Sequence, residues 1–273
     1  MATEHYGTLS SKWLPSAKLL SLNINGVNLL DASRICIERA LQARGGYVCL
    51  ANVHMLIEAY QNPEYARIID GADLALPDGR PLVVLMKLLG IKTQKQVRGA
   101  DLTREICCSA EQAGVSVGFL GAAPETLERL IEQISKNFPH LSINYAYSPP
   151  FRPLSEDEWT KVVSDINQSG SRILFVGLGC PRQERWMAKH SKRSNTVMLG
   201  VGAAFDFLAG TVPEAPKWMQ NAGLEWIFRL SQNPKRLWKR YAVTNSKFIG
   251  LLLLSLIRMQ RAPLHIQSQS IIK

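Results

Sequence analysis

The fold is decided in the stretch Leu74-Ala75-Leu76-Pro77-Asp78-Gly79-Arg80-Pro81. A short apolar run ends at a proline, a carboxylate and a glycine follow, and a second proline opens a run with helical spacing. This order predicts a strand, a tight turn and a helix with proline in its first turn. Because ligands of α/β proteins bind where strands end and helices begin, Asp78 is placed to accept a proton from a substrate hydroxyl. The same position also suits a residue that only caps the next helix, and both interpretations stay open.

Apolar runs alternate with helical segments on both sides of this stretch. Many of these runs are followed by Gly, Asn or Asp, and they predict strands at 47–51, 115–120, 143–147, 172–176 and 196–199. The continuous apolar runs at 47–51 and 115–120 are typical of buried strands. The sequence therefore predicts an α/β fold, with a Rossmann-like, mostly parallel sheet flanked by helices and a basic helical C-terminal appendage. It contains neither G-x-G-x-x-G after a strand nor G-x-x-x-x-G-K-[ST], which excludes the usual dinucleotide and P-loop sites.

Local signals predict several turns and caps. Asn25-Gly26 predicts the turn of a hairpin, and Asp31 predicts the cap of the first helix. The polar and basic segment 91–98 predicts an exposed loop. Five cysteines show neither a disulfide framework nor zinc-site spacing, so we expect the reduced, buried thiols of a cytosolic protein. The N-terminal segment lacks the continuous apolar core of a secretory signal.

The formal net charge of +10 is concentrated at one end of the 273-residue chain. Residues 211–273 contain ten Lys or Arg against two Asp or Glu, while the rest of the chain contains 22 and 20. Such a segment favours an anionic surface, whether lipid head groups, phosphates or nucleic acid. Its apolar run at 248–257 is shorter than the roughly 20 residues of a spanning helix and favours a membrane-surface helix or a packed core helix. We expect an N-terminal extension at 1–19, a core at 20–210 and a membrane-associating appendage at 211–273.

Short motifs occur in a fixed order along residues 20–245. They are Asn52, Ala72-Asp73-Leu74 before Pro77-Asp78-Gly79, Gly99-Ala100-Asp101-Leu102, Phe119-Leu120-Gly121-Ala122, Gly177-Leu178-Gly179-Cys180-Pro181-Arg182-Gln183-Glu184, Gly200-Val201-Gly202 with Phe205-Asp206, and Ala215-Pro216 with Gly223-Leu224-Glu225-Trp226. This ordered set resembles the WecG/TagA/CpsF family of glycosyltransferases, glycosyltransferase family 26.

The resemblance implies an inverting, β-linkage-forming, metal-independent transfer of a sugar from a UDP-sugar to a polyprenyl-diphosphate-linked saccharide, without a cofactor. It implies a peripheral protein on the cytoplasmic, inner face of the bacterial plasma membrane, working in cell-surface polysaccharide synthesis. The implied partners are this donor, this acceptor and an anionic membrane surface, with no nucleic acid; a homo-oligomer stays open. From the residues alone, a non-enzymatic basic α/β protein that binds nucleic acid through its C-terminal tail is the alternative.

By motif position, the resemblance makes Asp78 the catalytic base, with no metal ligand. The substrate-binding residues that we expect are Asn52, Arg98, Asp101, Gly121, Gln183, Asp206, Arg229, Arg236 and Arg240. For Asp101 a helix cap is the alternative. Many family members carry an arginine where this chain has Gln96, and teichoic-acid members have Thr-Pro-Asn where it has Leu50-Ala51-Asn52. The donor sugar stays open among glucose, N-acetylmannosamine and a uronic acid.

Overall fold

The computed structural model describes residues 14–259, apart from the side chains of 236, 240 and 255–259. In this part of the chain, six parallel strands form one sheet: β3 (Gly46–Ala51), β4 (Leu74–Pro77), β5 (Val117–Gly121), β6 (Ile143–Tyr147), β7 (Ile173–Gly177) and β8 (Val197–Gly200). Their order in the sheet is β4-β3-β8-β7-β5-β6. The Rossmann-like prediction is confirmed, since helices cover both faces of this sheet and form two apolar cores with it.

Helices connect these strands and continue beyond the last one. Their bounds are α1 (Leu29–Leu41), α2 (Val53–Gln61), α3 (Pro63–Asp70), α4 (Arg80–Leu88), α5 (Gly99–Ala113), α6 (Pro124–Asn137), α7 (Glu156–Ser169), α8 (Arg182–His190), α9 (Ala204–Leu208), α10 (Lys217–Ala222), α11 (Glu225–Gln232) and α12 (Pro234–Met259). The two prolines of the opening stretch behave as predicted: Pro77 ends β4, and Pro81 lies in the first turn of α4. All five cysteines are free thiols, and three of them are buried, namely Cys36, Cys49 and Cys107.

A two-stranded antiparallel hairpin precedes the sheet, formed by β1 (Ser16–Leu19) and β2 (Leu22–Asn25). Its turn lies at Leu20 and Ser21, so the prediction of a turn at Asn25-Gly26 is wrong. The Asn25 side chain instead accepts a hydrogen bond of 2.8 Å from the Ala75 amide, which ties the hairpin to β4.

The cap of α1 also differs from the prediction. Asn28 is the N-cap, and its side chain accepts from the Asp31 amide at 2.9 Å, so Asp31 lies inside the first turn. Asn and Asp are similarly favoured as caps, and both lie near the start of this helix. Because α1 begins at Leu29, the residue directly before it, Asn28, is the cap.

The segment between α4 and α5 is a loop, as predicted, but it is not exposed throughout. Gln94, Val97 and Arg98 are buried. The Gln94 side chain donates to the Val27 carbonyl, and the Val97 amide donates to the Pro77 carbonyl at 2.9 Å. These bonds hold the loop against the carboxyl end of β4, beside Asp78.

The C-terminal appendage contains α10, α11 and α12, and α12 packs along α2. The 26 residues of α12 unite the basic segment and the leucine run in one helix. Phe248 is buried against the core, whereas Leu253 and Leu254 are more than half exposed. Within residues 14–259, no helix is both long enough and apolar enough to span a bilayer.

Candidate active site

Asp78 directly follows β4, at the carboxyl edge of the sheet. Its amide donates to the Ala51 carbonyl at 2.8 Å, which fixes the turn against β3. The N-cap of α4 is Gly79, with no side-chain capping bond, so the interpretation of Asp78 as the cap of that helix is wrong. Instead, Asp78 Oδ1 accepts from the amide of Gly99, the first residue of α5, at 3.3 Å. The carboxylate is therefore oriented by a helix that lies 21 residues further along the chain.

The environment of Asp78 makes its carboxylate a stronger base than usual. Burial raises the pKa of Asp78 to about 6, against the lowering effect of Arg229; Glu225 adds to the rise, while Arg98 and the Gly99 amide oppose it. A carboxylate with a pKa near the working pH is deprotonated at neutral pH and still accepts a proton readily. Asp78 thus combines the charge state and the basicity that a general base requires.

Two cavities adjoin Asp78. The first, of about 420 Å³, follows the carboxyl ends of the strands, and the second, of about 340 Å³, lies between α2, α4 and the appendage. Four of their lining residues belong to both cavities: Asn52, Asp78, Glu225 and Arg229. A bound group in either cavity would therefore meet the same carboxylate.

The first cavity collects five of the residues that the sequence predicted for substrate binding: Asn52, Arg98, Gln183, Asp206 and Arg229. Asn52 caps α2, where its Oδ1 accepts from the Met55 amide at 3.2 Å. Gln183 is buried, and its Oε1 accepts from the Gly179 amide at 3.1 Å, which shapes the loop before α8. Asp206 lies in the first turn of α9. Strand ends far apart in sequence thus form one wall.

Arg98 lines the first cavity but is bound to the protein on several sides. It is 6% exposed, and its Nη1 lies 3.3 Å from Asp101, 3.1 Å from Glu214 and 2.9 Å from Gln220. Its Nε lies 3.3 Å from Glu225. Burial opposes its charge, yet Glu225, Asp101 and Glu214 outweigh that effect and raise the pKa of the guanidinium. Arg98 therefore joins the core to the appendage.

Two predicted site residues, Asp101 and Gly121, lie outside the residues that line these cavities. Asp101 is in the first turn of α5, where it pairs with Arg98 and with Arg104, each at 3.3 Å. Gly121 ends β5 with a φ of +125°, and a Cβ there would lie 2.6 Å from the backbone of Gly177. The structure gives Gly121 the task of letting β5 approach β7.

The appendage contributes a paired arginine and an acidic residue to the site. Arg229 Nη2 lies 2.9 Å from Glu225 Oε1, and its guanidinium stacks 4.7 Å above the Phe207 ring. Glu225 was missed as a site residue from the sequence, although its i,i+4 spacing from Arg229 was a usable signal. The side chains of Arg236 and Arg240 lie outside the described residues.

Within the described part of the chain, His, Cys, Asp and Glu side chains form no group of three or more that could hold a metal ion. The site thus consists of Asp78, flanked by Asn52, Glu225 and Arg229, at the junction of two cavities. This arrangement can hold two groups on either side of one carboxylate.

A parallel sheet flanked by helices, with a partly buried carboxylate between two cavities at its carboxyl edge, defines an α/β protein of the Rossmann-like class. The model of the family described as "Glycosyl transferase WecG/TagA/CpsF family" matches residues 17–262, and the chain belongs to this family of glycosyltransferases. A Bacillus spizizenii protein named N-acetylglucosaminyldiphosphoundecaprenol N-acetyl-beta-D-mannosaminyltransferase is 34% identical over 200 residues, 73% of this chain and 76% of the relative. A Bacillus subtilis strain 168 protein of the same name is 29% identical over 202 residues, with the same coverage.

Proposed function

We propose that this glycosyltransferase moves a sugar from a UDP-sugar to a saccharide linked to a polyprenyl diphosphate, by an inverting and metal-independent mechanism. Membership of the family supports glycosyl transfer. The names of the two Bacillus relatives specify an N-acetylglucosaminyl diphosphoundecaprenol acceptor, and we extend this acceptor class to the present chain. The product is a lipid-linked intermediate of a bacterial cell-surface polymer.

The observation that carries the proposal is the position of Asp78 between the two cavities. With the donor in the first cavity and the acceptor in the second, Asp78 takes the proton from the attacking acceptor hydroxyl. The acceptor oxygen then bonds to the anomeric carbon as the bond from that carbon to UDP breaks, and attack from the face opposite UDP inverts the configuration. A positioned base contributes about 10²–10⁴-fold to such a step.

The leaving diphosphate needs positive charge and oriented amides. The first cavity offers the loop 177–180 and the start of α8, whose N-terminal amides favour phosphate. Arg229 lies at the boundary, where it contributes a cation. We assign the predicted Arg236 and Arg240 to the same diphosphate by their motif position and their place on α12.

The surface of α12 supports contact with an anionic membrane. Trp238, Ile249, Leu253 and Leu254 are each more than half exposed. Lysines follow the same helix at 235, 239 and 247. Exposed Trp and Leu together with Lys favour the interface between water and lipid, which would bring the second cavity to the lipid-linked acceptor on the cytoplasmic face.

The substitution Asp78→Asn tests the proposal. We expect kcat for transfer from a UDP-sugar to a lipid-linked acceptor to fall about 10²–10⁴-fold, with the affinity for UDP unchanged. Asp157→Asn, at an exposed position of α7, is the matched control and should keep the full rate. Radiolabelled transfer assays and equilibrium UDP binding measure the two quantities. A full transfer rate in Asp78→Asn would contradict the assignment of the base.

A further inference from the structure

The arginines of the site differ in their partners. Among the described residues, three arginines line the cavities: Arg80, Arg98 and Arg229. Arg98 is bound by several acidic groups, and Arg229 pairs with Glu225 and stacks on Phe207. The Arg80 side chain has no ion pair and no hydrogen bond with any residue that the structure describes. It is therefore the cation of this set whose charge is available to a bound anion.

Arg80 opens α4, two positions beyond Asp78, and lines the second cavity alone of the two. Its Cβ and Cγ lie 3.4 and 3.2 Å from the position of a Cβ added to Gly223, so the end of α10 covers the aliphatic stem. Arg80 is partly buried and lies at the N-terminus of α4, which also favours negative charge. Because a half-buried charge without a partner is costly, an anion would be stabilised here.

The remaining wall of the second cavity suits an amphiphile. Trp226, Tyr241, Phe248 and Ile249 line it, and the Trp226 and Tyr241 rings lie 5.8 Å apart. From Ile249 the apolar surface continues along α12 to the exposed leucines at 253 and 254. The cavity thus combines a cation and a carboxylate with apolar side chains that continue onto the surface of α12.

We propose that Arg80 binds the diphosphate of the lipid-linked acceptor and thereby favours acceptors with a diphosphate over acceptors with a single phosphate. The inference rests on the proposed function. The attacking hydroxyl has to reach Asp78, whereas the diphosphate is attached on another side of the same sugar ring. Arg80 is adjacent to Asp78 within the same cavity, and its planar guanidinium can donate two parallel hydrogen bonds to phosphate oxygens.

The test compares Arg80→Gln with the wild type on a farnesyl-diphosphate-linked N-acetylglucosamine. We expect the acceptor KM to rise roughly 10- to 100-fold, the size of a lost charge-assisted hydrogen bond, with the donor KM unchanged. Arg80→Lys should recover part of the loss, because it restores the charge but not the fork. Lys87→Gln removes an exposed charge from the last turn of the same helix and should leave the acceptor KM unchanged.

A second acceptor, with one phosphate instead of two, sharpens the result. The wild type should prefer the diphosphate, and Arg80→Gln should lose most of that preference. An unchanged acceptor KM and preference in Arg80→Gln would overturn the assignment, as would a rise in the KM of a UDP-uronic acid donor instead of the acceptor. Equilibrium binding of the diphosphate acceptor, measured without donor, tests Arg80 separately from transfer. If the wild type binds this acceptor but transfers no sugar, the proposed function is refuted. The difference in acceptor affinity between the wild type and Arg80→Gln then still decides the role of Arg80.

Discussion

The two cavities beside Asp78 are formed by different parts of the chain. The first is formed mainly by strand ends, tight loops and helix starts of the core, for example the loop 177–180 and the turn at Gly202. The second is closed by side chains of the appendage, among them Trp226, Tyr241 and Phe248. Backbone positions follow from the sheet itself, whereas the second cavity depends on docking of α10–α12. The core therefore forms most of the first cavity, and the appendage completes the second.

The largest effect should come from releasing the appendage. Arg98→Met removes the buried cation between Asp101, Glu214 and Glu225 and leaves these carboxylates with only the more exposed Arg104 and Arg229. We expect a loss of about 3–5 kcal/mol in the free energy of unfolding, with early proteolysis near residues 209–216. Urea unfolding and limited proteolysis measure both effects.

The matched control for that substitution is Arg104→Met. Arg104 contacts Asp101 and Glu214 as well, but its side chain is 43% exposed, so the expected loss is at most about 1 kcal/mol. Equal losses in the two variants would show that burial of Arg98 does not hold the appendage in place.

The next effect tests the strand contact behind the first cavity, between Gly121 and the cavity-lining Gly177. Gly121→Ala adds a Cβ 2.6 Å from Gly177 at a φ of +125°, so β5 and β7 must move apart. We expect a loss of about 3 kcal/mol from strain and overpacking. Gly114→Ala is the control, because its φ is +65° with no atom within 4 Å, and should cost only about 1 kcal/mol. If thermal unfolding shows no difference between the two, the close approach of the strands does not limit stability.

The smallest effect concerns Asp78 and Glu225, which line both cavities. On our proposal that Asp78 is the base and acts in its deprotonated form, kcat/KM should increase as the pH rises through about 6 and level off above. Glu225 raises the pKa of Asp78 and pairs with Arg229, so Glu225→Gln should shift this rise to lower pH and reduce kcat by roughly tenfold. If Glu225→Gln has the same pH–rate profile as the wild type, Glu225 does not influence the pKa of Asp78 during the reaction.

Most of the core was predictable because its signals are local. The signals for the buried strands and for the prolines beside Asp78 depend on neighbouring residues alone. The cap of α1 was a local error, but the other two errors lie where a residue has a distant partner. Asn25 bonds Ala75 instead of forming the hairpin turn, and the loop 91–98 is drawn inward by contacts with Val27 and Pro77.

The site divides in the same way. The sequence by itself determined that a carboxylate, Asp78, follows a parallel strand, since the order of residues within one turn fixes that position. Only the tertiary structure decided that the Gly99 amide holds this carboxylate, that Arg98 is occupied by acidic groups and that Arg80 is not. The physical reason is that hydrogen bonds and ion pairs depend on distance in space, and the partners of these residues come from segments far away along the chain.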